Sequence, residues 1–256
     1  MKILLLGDIV GQAGCRAVFF GLPMLKRRLG ADFVVANAEN AADGLGLDAR
    51  IYAELRAAGV DVVTSGNHIW QRKEVLPLLD AEERLLRPEN YPVGVPGHGV
   101  VVVQAGQTSV AVLNLEGRRF LSSLRCPFHT ARRTVGRLRS KLRVVIVDFH
   151  AEATDEKEAL AFHLDGTVSV IFGTHTHVQT ADERVLPRGT GYITDAGMCG
   201  AGGGVIGMKP DISVRRFYSQ MPLKMEVDEG PGVISGALAE VDAETGLCSA
   251  MSRVRA

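Results

Sequence analysis

Val168-Ser169-Val170-Ile171-Phe172-Gly173-Thr174-His175-Thr176-His177 decides how this chain is read. A β-prone run ends at a glycine, and two imidazoles follow at alternate positions. Alternate residues of an extended segment share a face, so both rings can approach one centre. Working outward, the arrangement recurs. Asp8 follows Ile3-Leu4-Leu5-Leu6-Gly7, and Glu39 and Asn40 follow Phe33-Val34-Val35-Ala36-Asn37. Asn67 and His68 follow Val62-Val63-Thr64-Ser65-Gly66, and His150 closes Val144-Val145-Ile146-Val147-Asp148-Phe149. The carboxyl ends of parallel strands share one edge of an open α/β sheet, where ligands bind. Five strands therefore bring two carboxylates, two carboxamides and up to four imidazoles to one cleft, a set that suits a pair of metal ions.

The intervening segments carry helical spacing. Residues 16–29 present Val18, Phe19, Leu22, Leu25 and Leu29, and residues 48–58 present Ile51, Leu55 and Ala58 between an Asp48 N-cap and a Gly59 stop. Residues 72–80 predict a third, short helix. This β-α-β-α-β-α order predicts a parallel sheet with helical crossovers. Residues 99–104 and 109–114 then read as a hairpin about Ala105-Gly106-Gln107-Thr108. Helices are predicted at 130–142 and 155–163, a strand at 190–194, and antiparallel strands at 223–227, 233–241 and 247–251. No linker, repeat or low-complexity tract interrupts the chain. Because candidate ligands come from both halves, residues 1–256 are read as a single α/β domain with two packed sheets and outer helices.

The 256 residues are 46% hydrophobic and 23% charged with zero formal net charge, so no global field favours nucleic acid or membrane. The N-terminal apolar run is too short for a signal peptide and is broken by Asp8. No run approaches the roughly 18 apolar residues that span a bilayer. The expected location is the cytoplasm, without membrane association. Cys15, Cys126, Cys199 and Cys248 form no C-x-x-C pair and read as free thiols. Nine basic and no acidic residues lie between Glu116 and Asp148, from Arg118 to Arg143. With no interleaved aromatic platform, they read as a solvated helix face before a phosphate rim or an RNA surface. The glycine-rich stretch 197–207 reads as a flap over substrate or a flexible connection. The tail strands either complete a sheet or form a homo-oligomer interface.

Two ions about 3.5–4 Å apart need a bridging ligand and a mixed nitrogen and oxygen shell. Asp8 and Glu39 are the strand-end carboxylates, and the lack of a cysteine ligand favours iron, manganese or zinc. Gly7-Asp8, Glu39-Asn40, Gly66-Asn67-His68, His150 and Gly173-Thr174-His175-Thr176-His177 occur in the order of the calcineurin-like metallophosphoesterase blocks. More closely, residues 1 to about 230 resemble the YmdB-like branch of cyclic-nucleotide phosphodiesterases. Gly-Asp-Ile-Val-Gly, Glu-Asn-Ala-Ala-Asp-Gly, Val-Asp-Phe-His-Ala-Glu-Ala-Thr and Gly-Thr-His-Thr-His-Val-Gln-Thr-Ala-Asp carry that resemblance.

The resemblance implies a four-layer α/β/β/α sandwich, two packed mixed β-sheets flanked by helices. It implies a dinuclear centre, iron before manganese or zinc, acting on small phosphodiesters that include 2′,3′-cyclic nucleotides. Asp8, Glu39, Asn40 and His177 would hold one ion; Glu39, Asn67, His150 and His175 would hold the other. A metal-bridging hydroxide would attack, and His68 would be the general acid. The chain departs from the broad superfamily in three places. Asp8-Ile9-Val10 replaces Asp-x-His, Glu39 replaces the bridging Asp, and Ile69 replaces the acid after Asn-His, so His68 must be oriented from elsewhere. Two rival readings are a metallohydrolase of another class, such as an amidohydrolase, and a non-catalytic metal-containing nucleotide-binding regulator. The paired Asn residues and Asn-His favour phosphoesters.

Overall fold

In the computed structural model, which describes residues 1–256, the short apolar runs are strands and the segments of helical spacing connect them. The chain begins β1 (Lys2–Leu6), β2 (Asp8–Ile9), α1 (Gly11–Leu29), β3 (Phe33–Asn37), α2 (Ala49–Ala58), β4 (Val62–Thr64) and α3 (Val75–Ala81), with a 3₁₀ turn at Ile69–Gln71. It continues through β5 (Val100–Ala105), β6 (Thr108–Glu116), α4 (Pro127–Arg139), β7 (Val144–His150), α5 (Thr154–Leu164), β8 (Val170–Thr174), β9 (Arg184–Val185), β10 (Gly191–Ile193) and β11 (Met198–Ala201). It closes with α6 (Pro210–Ser219), β12 (Gly232–Val233), β13 (Ser235–Val241) and β14 (Cys248–Arg255). No helix is long and apolar enough to cross a membrane.

Two mixed sheets carry the architecture. One has the order β14-β13-β1-β3-β4, with β1, β3 and β4 parallel; the other has the order β5-β6-β7-β8-β10-β9, with β6, β7, β8 and β10 parallel. The period of two sorts their side chains. Ile3, Leu5, Phe33 and Val35 meet Val110, Val112, Val144, Ile146 and Val170 between the sheets. Leu4, Leu6, Val34 and Ala36 turn outward onto α1 and α2. Ala111, Leu113, Val145 and Val147 turn outward onto α4 and α5. The layers are therefore α/β/β/α, as the sequence predicts.

The helix ends follow local chemistry. Asp48 caps α2 by accepting from Ile51 N at 2.8 Å, and Gly59 ends it at φ 105°. α1 starts five residues before the predicted 16–29 span, because Gly11, Ala13 and Gly14 are too small to display an apolar stripe yet are buried. α4 starts at Pro127, which sits in the first turn where no N–H is required.

Two expectations are corrected. Residues 223–227 form no strand; a single bridge joins Val227 to Met208. The alternation of Leu223, Met225 and Val227 predicts a sheet face, but these three side chains line a cleft instead. Residues 197–207 are not one free loop. Met198–Ala201 is buried and pairs parallel with β2, in a small third sheet of order β12-β11-β2. Its small residues suit close packing: a Cβ on Gly14 of α1 would lie 2.1 Å from the Cys199 carbonyl oxygen.

Candidate metal centre

The carboxyl ends of β1, β3, β4, β7 and β8 converge where the two sheets meet. Glu39, two residues past β3, is fully buried. Its Oε1 lies 3.1 Å from His150 Nε2 and 3.3 Å from His68 Nδ1, and its Oε2 accepts from His68 N at 2.9 Å. His150 Nε2 also lies 3.1 Å from Asn67 Oδ1 and 3.0 Å from His175 Nδ1. The ligand atoms of Glu39, His150 and His175 all fall within 4.8 Å of one another. Nitrogen and oxygen ligands roughly 2.1 Å from one ion stand about 3.0–3.4 Å apart at angles of 90–109°. The separations around His150 Nε2 fall at that spacing, so these groups fit a shared cation.

Asp8 is also fully buried. Its Oδ2 accepts from His175 N at 2.9 Å, whereas Oδ1 has no hydrogen-bond partner and lies 3.9 Å from His177 Nε2. A buried carboxylate oxygen without a partner is costly, and a bound cation would satisfy it. His177 Nε2 lies 3.1 Å from Asn40 Nδ2. All seven predicted ligand residues and His68 are thus drawn into one cluster.

The amide of Asn40 is turned so that its oxygen faces His68 Nδ1 at 2.7 Å and its nitrogen faces His177. The group that orients His68, missing from the position of Ile69, is therefore Asn40. In this orientation Asn40 offers no lone pair to an ion beside His177, and ligation through Oδ1 requires the amide to turn over.

Charge inside the centre is tuned by burial and by neighbours. Burial alone would lower His150, but Glu39 and Asp8 hold it up to about 9. Burial raises Glu39, yet His150 and His68 pull it well below the usual carboxylate range. Burial raises Asp8, with His177 and His150 opposing. Burial, and then the positive His150, depress His175 to about 3. The negative charge that keeps a proton on His150 is the charge a cation would use to displace it.

Further residues hold these groups in place, and the sequence reading does not identify them. His150 Nδ1 donates to Thr174 Oγ1 at 2.9 Å, which donates to Asp148 Oδ1 at 2.8 Å. This chain leaves Nε2 as the ligand nitrogen. Asp148 also accepts from Thr64 Oγ1 and from Asn37 Nδ2, and burial pushes its carboxyl up to about 7. The visible signal is an acid inside an apolar run. His177 Nδ1 donates to Ile206 O at 3.0 Å, so the 202–207 turn aims Nε2 inward. His175 and His177 have φ of 101° and 64°, left-handed conformations that cost about 1–3 kcal/mol each. Asp195 offsets this by accepting from Thr176 N and Thr176 Oγ1, and Lys157 Nζ bonds both Asp195 and Thr174 O. A glycine is required at position 66 because a Cβ there would lie 2.1 Å from His150 Cδ2.

A cavity of about 640 Å³ opens over His68, His175 and His177 and is closed opposite by residues 43–45 and parts of 206–227. None of the nine basic residues from Arg118 to Arg143 lines it; Arg119 pairs with Asp155, and Arg125 donates to the Glu89 and Tyr91 carbonyls. Burial pushes the Cys199 thiol up to about 12, which leaves it inert.

Comparison with known proteins gives a consistent result. The sequence matches the family described as YmdB-like protein over residues 4–254. It is 43% identical over 245 residues to the 2′,3′-cyclic-nucleotide 2′-phosphodiesterase of Bacillus subtilis (strain 168), covering 96% of this chain and 93% of the relative. Among solved structures, a hypothetical protein from Thermus thermophilus superposes with TM-score 0.93 at 41% identity, covering 100% of this chain and 98% of that one. A novel phosphatase from Mycoplasma pneumoniae gives TM-score 0.94 at 36% identity, covering 100% and 93%.

Proposed function

Because the chain belongs to the YmdB-like protein family, we propose that it is a metal-dependent phosphodiesterase whose substrates are ribonucleoside 2′,3′-cyclic phosphates. The reading rests on one observation: Glu39, His150 and His175 converge within 4.8 Å while the buried Asp8 Oδ1 lacks any partner. Glu39, Asn67, His150 and His175 would hold one ion; Asp8, Glu39, His177 and a turned-over Asn40 would hold the other. Nitrogen and oxygen donors without thiolate suit iron, manganese or zinc alike, and the family resemblance puts iron first. When bound, such ions neutralise phosphoryl charge and make water nucleophilic near neutral pH.

The chain's own groups supply the remaining chemistry. Glu39 Oε1 faces His68 Nδ1, as Asn40 Oδ1 does before its amide turns over, so Nε2 is the nitrogen available to a substrate oxygen in the cavity. A proton delivered there to the departing 2′ oxygen would leave a 3′-phosphate. The backbone bond from His68 N to Glu39 fixes the distance between the acid and the centre. Thr174 and Asp148 hold His150, and Ile206 O holds His177, in the tautomers that present lone pairs.

Metal analysis of anaerobically purified protein, paired with hydrolysis of 2′,3′- and 3′,5′-cyclic nucleotides, tests this reading. Two ions per chain and preferential opening of the 2′,3′ ring are expected. Amide hydrolysis without cleavage of bis-p-nitrophenyl phosphate would transfer the chain to another hydrolase class, and nucleotide binding without turnover by fully metallated protein would make it a regulator.

A further inference from the structure

The cavity over the centre extends well beyond the reach of a single phosphate. Its inner end is His68, His175 and His177, and its outer wall is built from α6 and the extended segment after it. Two cations, Arg216 and Lys224, stand on that outer wall. The two acids that line the cavity are already committed: Asp43 pairs with Arg72 at 2.8 Å, and Glu152 lies 3.1 Å from His175 Nε2. Arg216 and Lys224 have neither an ion pair nor a side-chain hydrogen bond. Leu45, Leu223 and Met225 add apolar surface to the same cavity. Its volume of about 640 Å³ lies within the roughly 300–1,000 Å³ of small-ligand sites.

We propose that this outer wall binds a second phosphate, so that the preferred substrate is a ribonucleoside 2′,3′-cyclic phosphate that also carries a 5′-phosphate. This rests on the phosphodiesterase reading above. With the cyclic phosphate at the centre and the nucleoside against these apolar side chains, the 5′ substituent is the part of the substrate left to reach Arg216 and Lys224. Two unpaired cations there match an anion at that position. A 5′-hydroxyl nucleotide has nothing to offer them. A 3′,5′-cyclic nucleotide has its 5′ oxygen tied into the ring and cannot present a separate 5′-phosphate. The same chemistry has two sources: a free nucleotide with a 5′-monophosphate, or the cyclic-phosphate end of an RNA strand, where the 5′ group is a diester.

The test compares kcat/KM for adenosine 2′,3′-cyclic phosphate, its 5′-phosphorylated form, and an adenylyl dinucleotide ending in the cyclic phosphate. Wild type should prefer the 5′-phosphorylated form roughly tenfold, mainly through KM, the size expected for one or two partly exposed phosphate contacts. Arg216→Ala and Lys224→Ala should each shrink that ratio, and the double variant should bring it near unity; Arg216→Lys should keep part of it. Unchanged melting temperatures establish that these exposed substitutions leave the fold intact. Equal use of the dinucleotide identifies RNA ends as the source, and preference for the monophosphate alone identifies free nucleotides. Equal wild-type use of 5′-hydroxyl and 5′-phosphorylated substrates overturns the proposal, as does a preference that survives in the double variant. Hydrolysis of none of the three substrates overturns the phosphodiesterase reading itself, and this proposal with it.

Discussion

Replacing Lys157 with methionine removes an ammonium from the interior while keeping most of the side chain's volume. Lys157 Nζ donates to Thr174 O and to Asp195 Oδ2, both at 2.8 Å, and each partner of the ion pair is only 1% exposed. The substitution leaves a charged, buried Asp195. Breaking a buried pair by removing one partner costs roughly 3–5 kcal/mol. Asp195 keeps three donors, Thr176 N, Thr176 Oγ1 and Gly197 N, which places the loss near the lower end, about 3 kcal/mol. At roughly 2–4 °C per kcal/mol for a chain of this size, the melting temperature should fall by about 6–12 °C. Because Asp195 and Lys157 grip Thr174 and Thr176, on either side of His175, metal content should fall with it. Thermal denaturation and metal analysis of the same preparation read both effects. Adding Asp195→Asn removes the orphaned charge yet keeps an acceptor for the backbone donors, so the double variant should recover much of the stability. A Lys157→Met protein that melts within about 2 °C of wild type and carries its full metal complement would refute the claim that this pair holds the ligand loop.

Gly66→Ala should fold but bind metal poorly. An added Cβ would lie 2.1 Å from His150 Cδ2 and 2.3 Å from Nε2, and overpacking of this kind costs about 1–3 kcal/mol; full metal occupancy would contradict the assignment of His150. His68→Ala should lower kcat by roughly 10²–10⁴ while retaining metal, since alanine keeps the backbone N–H that bonds Glu39 Oε2; loss of metal would remove His68 from the role of acid. Metal affinity should climb with pH through neutrality and level off above about 9, because His150 in the metal-free protein holds its proton up to that value and binding must displace it. Calorimetry in buffers of differing ionisation enthalpy should count about one proton released at neutral pH, and a pH-independent affinity would argue against ligation by His150.

The sequence made the centre legible for a specific reason. Strands buried on both faces must be apolar throughout, so each polar residue directly after such a run stands out as a group delivered to the carboxyl edge. Asp8, Glu39, Asn40, Asn67, His68, His150, His175 and His177 are all visible this way. The segment at 223–227 misleads because an alternating pattern records only that one face is covered. In this fold the cover is the cleft rather than a neighbouring strand.

The sequence by itself determined most of the strands and helices and which strand ends carry ligand chemistry, since both depend on local periodicity. Tertiary structure alone decided how those groups are aimed. Asn40 orients His68, Ile206 O sets the tautomer of His177, and Lys157 with Asp195 holds the turn between His175 and His177. Each of these is a directional contact between segments 19 or more residues apart. A hydrogen bond acts only over about 3 Å and within a narrow angle, so no periodicity along the chain records it.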